Sequence, residues 1–486
     1  MTFSTRIRSG FAWTTGSRIL SQFVAWAVTI FVIRILSPTD YGLLAMATVL
    51  ISFLGLFSEL GLGSAIVQAG EHDVQTLRKI YGIVLLVHGA IFGILYVIAP
   101  FVASYFSEER LTFLIRVMGL HFLIVAQGVI PNAMLQRDLE FKNRSILGLV
   151  VNVIQGVATL GLAFAGFGVW SLVLGSLLQV ALQMLGLNIL RPFLFKPSFT
   201  FKGLRGLFAF GGYVSSSRFI WYLYTQADII IGGRLLGKEQ IGYYSVGLNL
   251  ASLPMQRISA ILNEVAFPAF AHLRAEADQI AQHALQAVRL VSFIAFPIFW
   301  GISAIAREIV EVLIGPNWEP AIFPLQLLAI VMPLRMIGQL MPPTLHGLGK
   351  ANLECYNQLI ICVAMILAFM VGVRWGIVGL SIAWVVVFPL TLLENLRRWL
   401  PVIGLTTSQL MGVIMRPAAA GGGMFAVVFA FREMGLSHGL VGLMMLIFVG
   451  VVSYAALSML LNRDGLNQVV AVFRSAPSPA NGSGVK

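Results

Sequence analysis

An all-α polytopic membrane protein with about fourteen transmembrane helices is the fold class this sequence predicts, and three observations predict it. Of 486 residues, 58% are hydrophobic and only 11% are charged, less than half of the roughly 25% found charged in a soluble domain. Apolar runs of about 18 residues or more recur from one end of the chain to the other, the length that a helix needs to cross a bilayer. The mean hydropathy is +0.88, and the alternating segments of about ten residues that would mark a transmembrane β-barrel do not dominate anywhere.

Reading apolar runs between charged or Gly/Pro breaks places the spans near 11–35, 42–66, 80–105, 111–135, 146–166, 168–190, 207–233, 242–268, 287–306, 320–343, 355–373, 376–395, 411–431 and 438–461. The first starts in a positive stretch, is interrupted by Arg18 and Gln22, and runs on to Leu36 without a convincing cleavage site. It therefore reads as a retained span rather than a signal peptide. The pairs around Gly166 and Arg374 are the places where two spans are easily confused with one long helix. Residues 1–195 are expected to hold a first lobe of six spans, 196–400 a second lobe of six, 401–465 two more, and 466–486 a polar cytoplasmic tail ending in SAPSPANGSGVK.

The net charge of +12 comes from Lys and Arg scattered singly or in small groups through short loops. With the N-terminus inside, nineteen of them fall on the cytoplasmic side. Only seven (Arg34, Arg110, Arg234, Lys238, Arg307, Arg374 and Arg432) fall on the other. That asymmetry orients both termini to the cytoplasm and accounts for the charge without nucleic acid as a partner. The short loops leave no room for a soluble catalytic domain, and no GxxxxGK[ST] phrase is present for ATP hydrolysis. Cys355 and Cys362 lie about 10 Å apart along one helix, too far for a disulfide. No metal-ligand spacing and no cofactor motif is found.

The chain repeats itself. RILSPTDYG at 34–42 returns as RLLGKEQIG at 234–242. A shift of 200 superposes Ser17, Arg18, Ala27, Ile30, Arg34, Leu36 and Gly42 on Ser217, Arg218, Ala227, Ile230, Arg234, Leu236 and Gly242. A second echo, FGVWSLV at 167–173 and WGIVGLS at 375–381, opens the sixth span of each half. The first and seventh spans start from the same side, so the halves are parallel repeats, related by an axis along the membrane normal with substrate passing between them.

The span arrangement of six plus six plus two, with the phrases RILSPTDYGLLAMATV, LGLGSAIVQ, LQRDLEFK and DIIIGGRLLGKEQIGYYSVGLNLASLP, resembles Wzx-type polysaccharide transporters. These are the oligosaccharide flippases of the multidrug/oligosaccharidyl-lipid/polysaccharide flippase superfamily, and the chain is similar to its colanic acid and exopolysaccharide exporters. The resemblance implies transfer of an undecaprenyl-pyrophosphate-linked oligosaccharide repeat unit across a bacterial inner membrane, without covalent chemistry. It also implies membrane lipids as surroundings, and polysaccharide polymerase and export proteins as partners. Three alternatives stay open: a multidrug/cation antiporter of the same superfamily, a lipid II flippase, and a membrane glycan polymerase or ligase. The first would prefer acidic lumen residues, and the last would need long catalytic loops.

Ionisable residues inside spans are costly and face a cavity or a partner. The candidates among them are Arg18, Glu59, Arg116, Arg218, Asp228, Arg257, Glu264 and Arg335. Every cation among them is Arg, whose planar fork suits phosphate oxygens. Arg18 and Arg218 lie sixteen residues before Arg34 and Arg234, roughly 24 Å along the helix, at matching depths in the two repeats. They are the candidate pyrophosphate clamp, and Arg18 is equally a counter-ion for Glu59. Arg257, which shares a helix face with Glu264, and Arg335 are further substrate-binding candidates. Trp221 and Tyr222 are candidates for stacking on sugar rings. Asp228 and Glu59 are candidates for ion coupling, or else anchors for a neighbouring Arg. Arg116 is expected to snorkel, His88 and His121 to be packed polar groups, and Tyr243 and Tyr244 to join an interfacial belt. A fluorescent-protein fusion after Arg398 should fluoresce in the cytoplasm and an alkaline phosphatase fusion after Gly237 should be active outside; the reverse pattern inverts the orientation.

Overall fold

The computed structural model describes residues 22, 25–58, 74–138, 140–193, 195–199, 205–272, 277–435, 439–463 and 465–466, and for residues 141, 205–218, 256–272 and 277–280 it describes the backbone. The chain divides into two compact units, residues 1–242 and 243–486. Among the described residues, nine helical stretches are long and apolar enough to span a membrane, and the chain is a polytopic helical membrane protein. One of the nine, Ala351–Val402, has 52 residues, about 78 Å if straight. It is a hairpin of two helices folded back on each other.

The first unit contains α1 (Ala25–Ile35), α2 (Pro38–Ser58), α3 (Val74–Phe106), α4 (Arg110–Ala126), α5 (Val129–Arg137), α6 (Phe141–Phe164), α7 (Val169–Leu190) and the first part of α8 (Arg205–His272). Helix α3 packs on α4, α6 on α7, and α4 on α7. Leu77, Ile80, Ile83 and Val84 of α3 meet Ala126, Ile130 and Ala133 of α4 and α5 in one buried cluster. The expected span 111–135 is bent by 44° between α4 and α5. A bend frees carbonyls that lipid cannot satisfy. Here Asn188 on α7 donates its side-chain amide to the Gln127 carbonyl at 3.2 Å.

The second unit contains α9 (Ala277–Ala304), three short turns over 306–321, α10 (Ile322–Gly338), α11 (Met341–Gly347), α12 (Ala351–Gly372), α13 (Gly376–Val402), α14 (Thr407–Glu433) and α15 (Gly439–Leu461). Helix α9 packs on α10 and α14, and α14 on α15. Ala420, Met424 and Val428 close with Leu443, Leu446 and Tyr454 over Ala304 and Ile305. Thr406 begins α14 with a reciprocal capping box to Gln409, a start signal written in the sequence as TTSQ. Cys355 and Cys362 are both free thiols on α12.

Both ambiguous breaks of the sequence are real turns, and the second echo has a backbone meaning. Gly168 stands before α7 with φ 54° and ψ −133°, and Gly376 opens α13 with φ 66° and ψ −153°. These are corresponding positions of FGVWSLV and WGIVGLS, and both occupy conformations that side chains rarely adopt.

The first echo has a packing meaning. A Cβ on Gly42 would fall on the carbonyl oxygen of Lys238, and a Cβ on Gly242 would fall on the carbonyl oxygen of Pro38. Gly42 and Gly242 are repeat equivalents, as are Pro38 and Lys238, so the two copies of the phrase touch reciprocally, backbone to backbone. Small residues permit that approach between helices in lipid, where dispersion rather than water exclusion drives packing. Asp40 ties the same corner to α7. It accepts the Ser37 N–H at 3.0 Å with one oxygen and the Val169 N–H at 2.9 Å with the other. Gly→Ala in a helix ordinarily stabilises by about 0.5–1 kcal/mol. Gly42→Ala and Gly242→Ala should each instead cost about 1–3 kcal/mol, read as lowered melting temperatures in detergent; a rise in either would refute the contact.

Candidate functional site

Of the site residues named from sequence, Arg18 and Glu59 lie outside the described residues, as do the side chains of Arg218, Arg257 and Glu264. The structure places four others: Trp221, Tyr222 and Asp228 on the first part of α8, and Arg335 on α10.

Trp221 and Tyr222, adjacent in sequence, point to different surroundings because successive helical positions are about 100° apart. Trp221 is 44% exposed, whereas Tyr222 is buried. The Tyr222 hydroxyl donates to the Val49 carbonyl of α2, and its ring packs 5.9 Å from that of Phe53. Two turns farther on, Asp228 is fully buried and accepts the Ile229 N–H at 2.8 Å. A carboxylate removed from water this completely must be met by hydrogen bonds or charge.

The far end of this stretch, around residues 234–238, is held by charge. Arg234 is exposed and donates to Ser107 Oγ, while Lys238 pairs with Glu108 at 2.5 Å. Between them Gly237 interrupts α8 with φ 81° and ψ 177°. Arg234 thus caps the helix end at the surface, as a snorkelling interfacial residue does. Arg116 lies 4.1 Å from the centre of the Tyr96 ring. His88, buried, approaches the Val84 carbonyl at 2.8 Å, and His121 packs edge-on against Phe122. These are structural settings.

In the second unit Arg335 lies over the fully buried Trp384, 4.1 Å from the ring centre. Trp384 in turn donates its indole N–H to the Tyr244 hydroxyl at 3.0 Å. The belt expected for Tyr244 is therefore corrected: Tyr244 is fully buried and belongs to an internal chain of Arg335, Trp384 and Tyr244. Sequence position suggests an interface, but burial is decided by α13, which arrives about 140 residues later. The neighbouring Tyr243 meets Trp318 edge-on at 6.0 Å.

A second polar group escaped the reading because its carboxylate sits at the edge of an expected span. Glu354 on α12 is buried and accepts the Gln358 amide at 2.6 Å. One turn along, Arg398 of α13 joins Glu394 at 2.5 Å and Asn357 at 3.4 Å. Asn357 Nδ2, Gln358 Oε1 and Asn395 Oδ1 are buried there without a protein partner. This cluster keeps spare donors and acceptors for a polar guest or for water. Arg432 and Glu308 form another half-hidden pair at 3.1 Å. Among the described residues no three His, Cys, Asp or Glu side chains converge as metal ligands would.

With this geometry in hand, comparison with known proteins places the chain. A family described as "Polysaccharide biosynthesis protein" matches residues 31–323, more than half of the chain. The chain is 27% identical over 432 residues to the teichuronic acid biosynthesis protein TuaB of Bacillus subtilis (strain 168), covering 87% of this chain and 88% of that one. It is 25% identical over 451 residues to the succinoglycan biosynthesis transport protein ExoT of Rhizobium meliloti (strain 1021), covering 91% and 90%. Among solved structures, the lipid II flippase MurJ in an inward closed conformation has a TM-score of 0.75 at 14% identity, over 93% of this chain and 99% of that one. That likeness is one of fold.

If the Arg335–Trp384 contact is a desolvated cation–π pair, a double-mutant cycle of Arg335→Gln with Trp384→Phe should give a coupling of about 1–2 kcal/mol. Additive effects on thermal unfolding would count against it.

Proposed function

This chain belongs to the polysaccharide biosynthesis protein family, and from that membership we propose that it flips an undecaprenyl-pyrophosphate-linked oligosaccharide repeat unit across the bacterial inner membrane. The observation that carries this reading is the family match over residues 31–323. It is supported by relatives of nearly equal length that are named for polysaccharide synthesis and transport. The chain works as a transporter, not as an enzyme: substrate and product are the same molecule in different leaflets.

The mechanism is alternating access between two parallel-repeat lobes, residues 1–195 and 196–400, with both termini in the cytoplasm and fourteen spans in all. The glycan crosses a hydrated interior while the lipid chain stays in the bilayer. Arg18 and Arg218 clamp the pyrophosphate near the cytoplasmic leaflet, each offering a charge-assisted fork to phosphate oxygens. Arg257 and Arg335 continue the cationic lining. Arg335 already leans on an aromatic face, so it can trade that contact for an anion without crossing unpaired. Trp221, with 44% of its surface open, is the candidate for stacking on a sugar, whereas the Tyr222 hydroxyl is engaged with α2. Asp228, with Glu59, is the candidate for coupling to an ion gradient. Polymerase and export proteins would take the flipped product.

In a strain lacking the gene, Arg18→Ala and Arg218→Ala should each reduce surface polysaccharide at least about tenfold, since losing a charge-assisted contact costs about 1.5–3 kcal/mol. Accumulation of the lipid-linked repeat unit on the cytoplasmic side would accompany it. Full export by both variants would refute the clamp.

A further inference from the structure

Within residues 1–242, helices α2, α3 and the first part of α8 line an open groove of about 390 Å³. Its walls include Val49 and Phe53 from α2, Phe101 and Tyr105 from α3, and Tyr222 and Ile230 from α8. The lining positions of α8 are 219, 222, 223 and 230, one stripe of the helix at spacings of three, four and seven. Eleven residues separate the first from the last, about 16 Å of trough. The buried hydroxyl on the wall, that of Tyr222, is already spent on the Val49 carbonyl. One flank is open, since Phe101 is 72% exposed and Phe219 is 40% exposed.

One end of the trough is cationic. Arg234 stands four residues beyond Ile230, so it lies on the same stripe. Its guanidinium touches neutral groups, Ser107 Oγ and, at 5.8 Å, the Tyr105 ring. Glu108 is held by Lys238 at 2.5 Å, and Arg234 makes no ion pair among the described residues. An apolar channel closed at one end by an unneutralised guanidinium complements an anionic headgroup on a long hydrocarbon chain. The trough, about 390 Å³ and about 16 Å long, is on the scale of a segment of one hydrocarbon chain.

We propose that this groove is an outer-leaflet subsite for the single polyprenyl chain of the lipid-linked substrate, with the phosphate group resting on Arg234. The inference builds on the flippase reading, and it gives the chain a place at the end of the path opposite the Arg18–Arg218 clamp. Holding the chain there would orient the headgroup at the moment the glycan emerges.

The test uses the full-length protein in phosphatidylcholine nanodiscs and undecaprenyl diphosphate carrying a diazirine in its chain. After illumination, peptide mapping should find adducts on residues 101–106 and 219–230. Labelling should fall about tenfold in Ile230→Trp and in Val102→Trp, which fill the groove from different helices and are each used if monodisperse. Arg234→Gln should weaken labelling about fivefold for the diphosphate and leave labelling by a diazirine undecaprenol unchanged. Excess undecaprenyl phosphate should compete, and excess phosphatidylglycerol should not. Equal competition by phosphatidylglycerol would make the groove a bulk-lipid furrow and overturn the proposal. So would labelling that survives both Trp variants. Saturable adducts found only elsewhere would sink the groove and spare the flippase reading. No saturable binding of the diphosphate anywhere would overturn both.

Discussion

The corner of the first unit where α2, α3, α7 and α8 come together is arranged around the place where two helix backbones meet with nothing between them. Gly42 rests on the Lys238 carbonyl and Gly242 on the Pro38 carbonyl, a contact that any side chain would hold apart. In lipid, helices gain little from hiding apolar surface, so closeness itself is the source of adhesion. The surrounding features serve that closeness. Asp40 fixes the start of α2 and reaches the start of α7, and Lys238 is drawn to Glu108 at the end of α3. Gly237 lets α8 turn directly beside the contact.

The helices themselves were legible, because an apolar run long enough to cross a membrane has few other fates. The turns at Gly168 and Gly376 were legible too, through a phrase repeated at a near-constant offset. What could not be read was anything decided by residues far apart in sequence. The bend after Ala126 has local marks in Gly128 and Pro131, whose missing N–H leaves the Gln127 carbonyl free, but the side chain that satisfies that carbonyl, Asn188, comes from a distant helix. Tyr244 looks interfacial until Trp384 is folded onto it. Glu354 falls one residue outside the expected span 355–373, yet it is buried beside Gln358.

The candidate site shows the same division. Composition singled out the intramembrane Arg and Asp residues, since their cost makes them conspicuous. Arg335 then proved to be supported by an aromatic face that periodicity cannot reveal. Trp221 and Tyr222 were indistinguishable as neighbours in a string, and the helix sends one outward and the other into α2. A list of rare charges finds where chemistry is expensive; only the packing says what offsets the expense.

The reciprocal glycine contact also has a genetic consequence. Because each copy of the phrase supplies the bare Cα and the carbonyl that the other copy needs, the two segments behave as one heritable unit despite lying 200 residues apart. A bulky allele at position 42 has its compensating changes around position 238, and one at 242 has them around 38. A homologue's half that brings a side chain to position 42 or 242 would therefore be held off the carbonyl of the other half, whereas one that brings glycine would close on it.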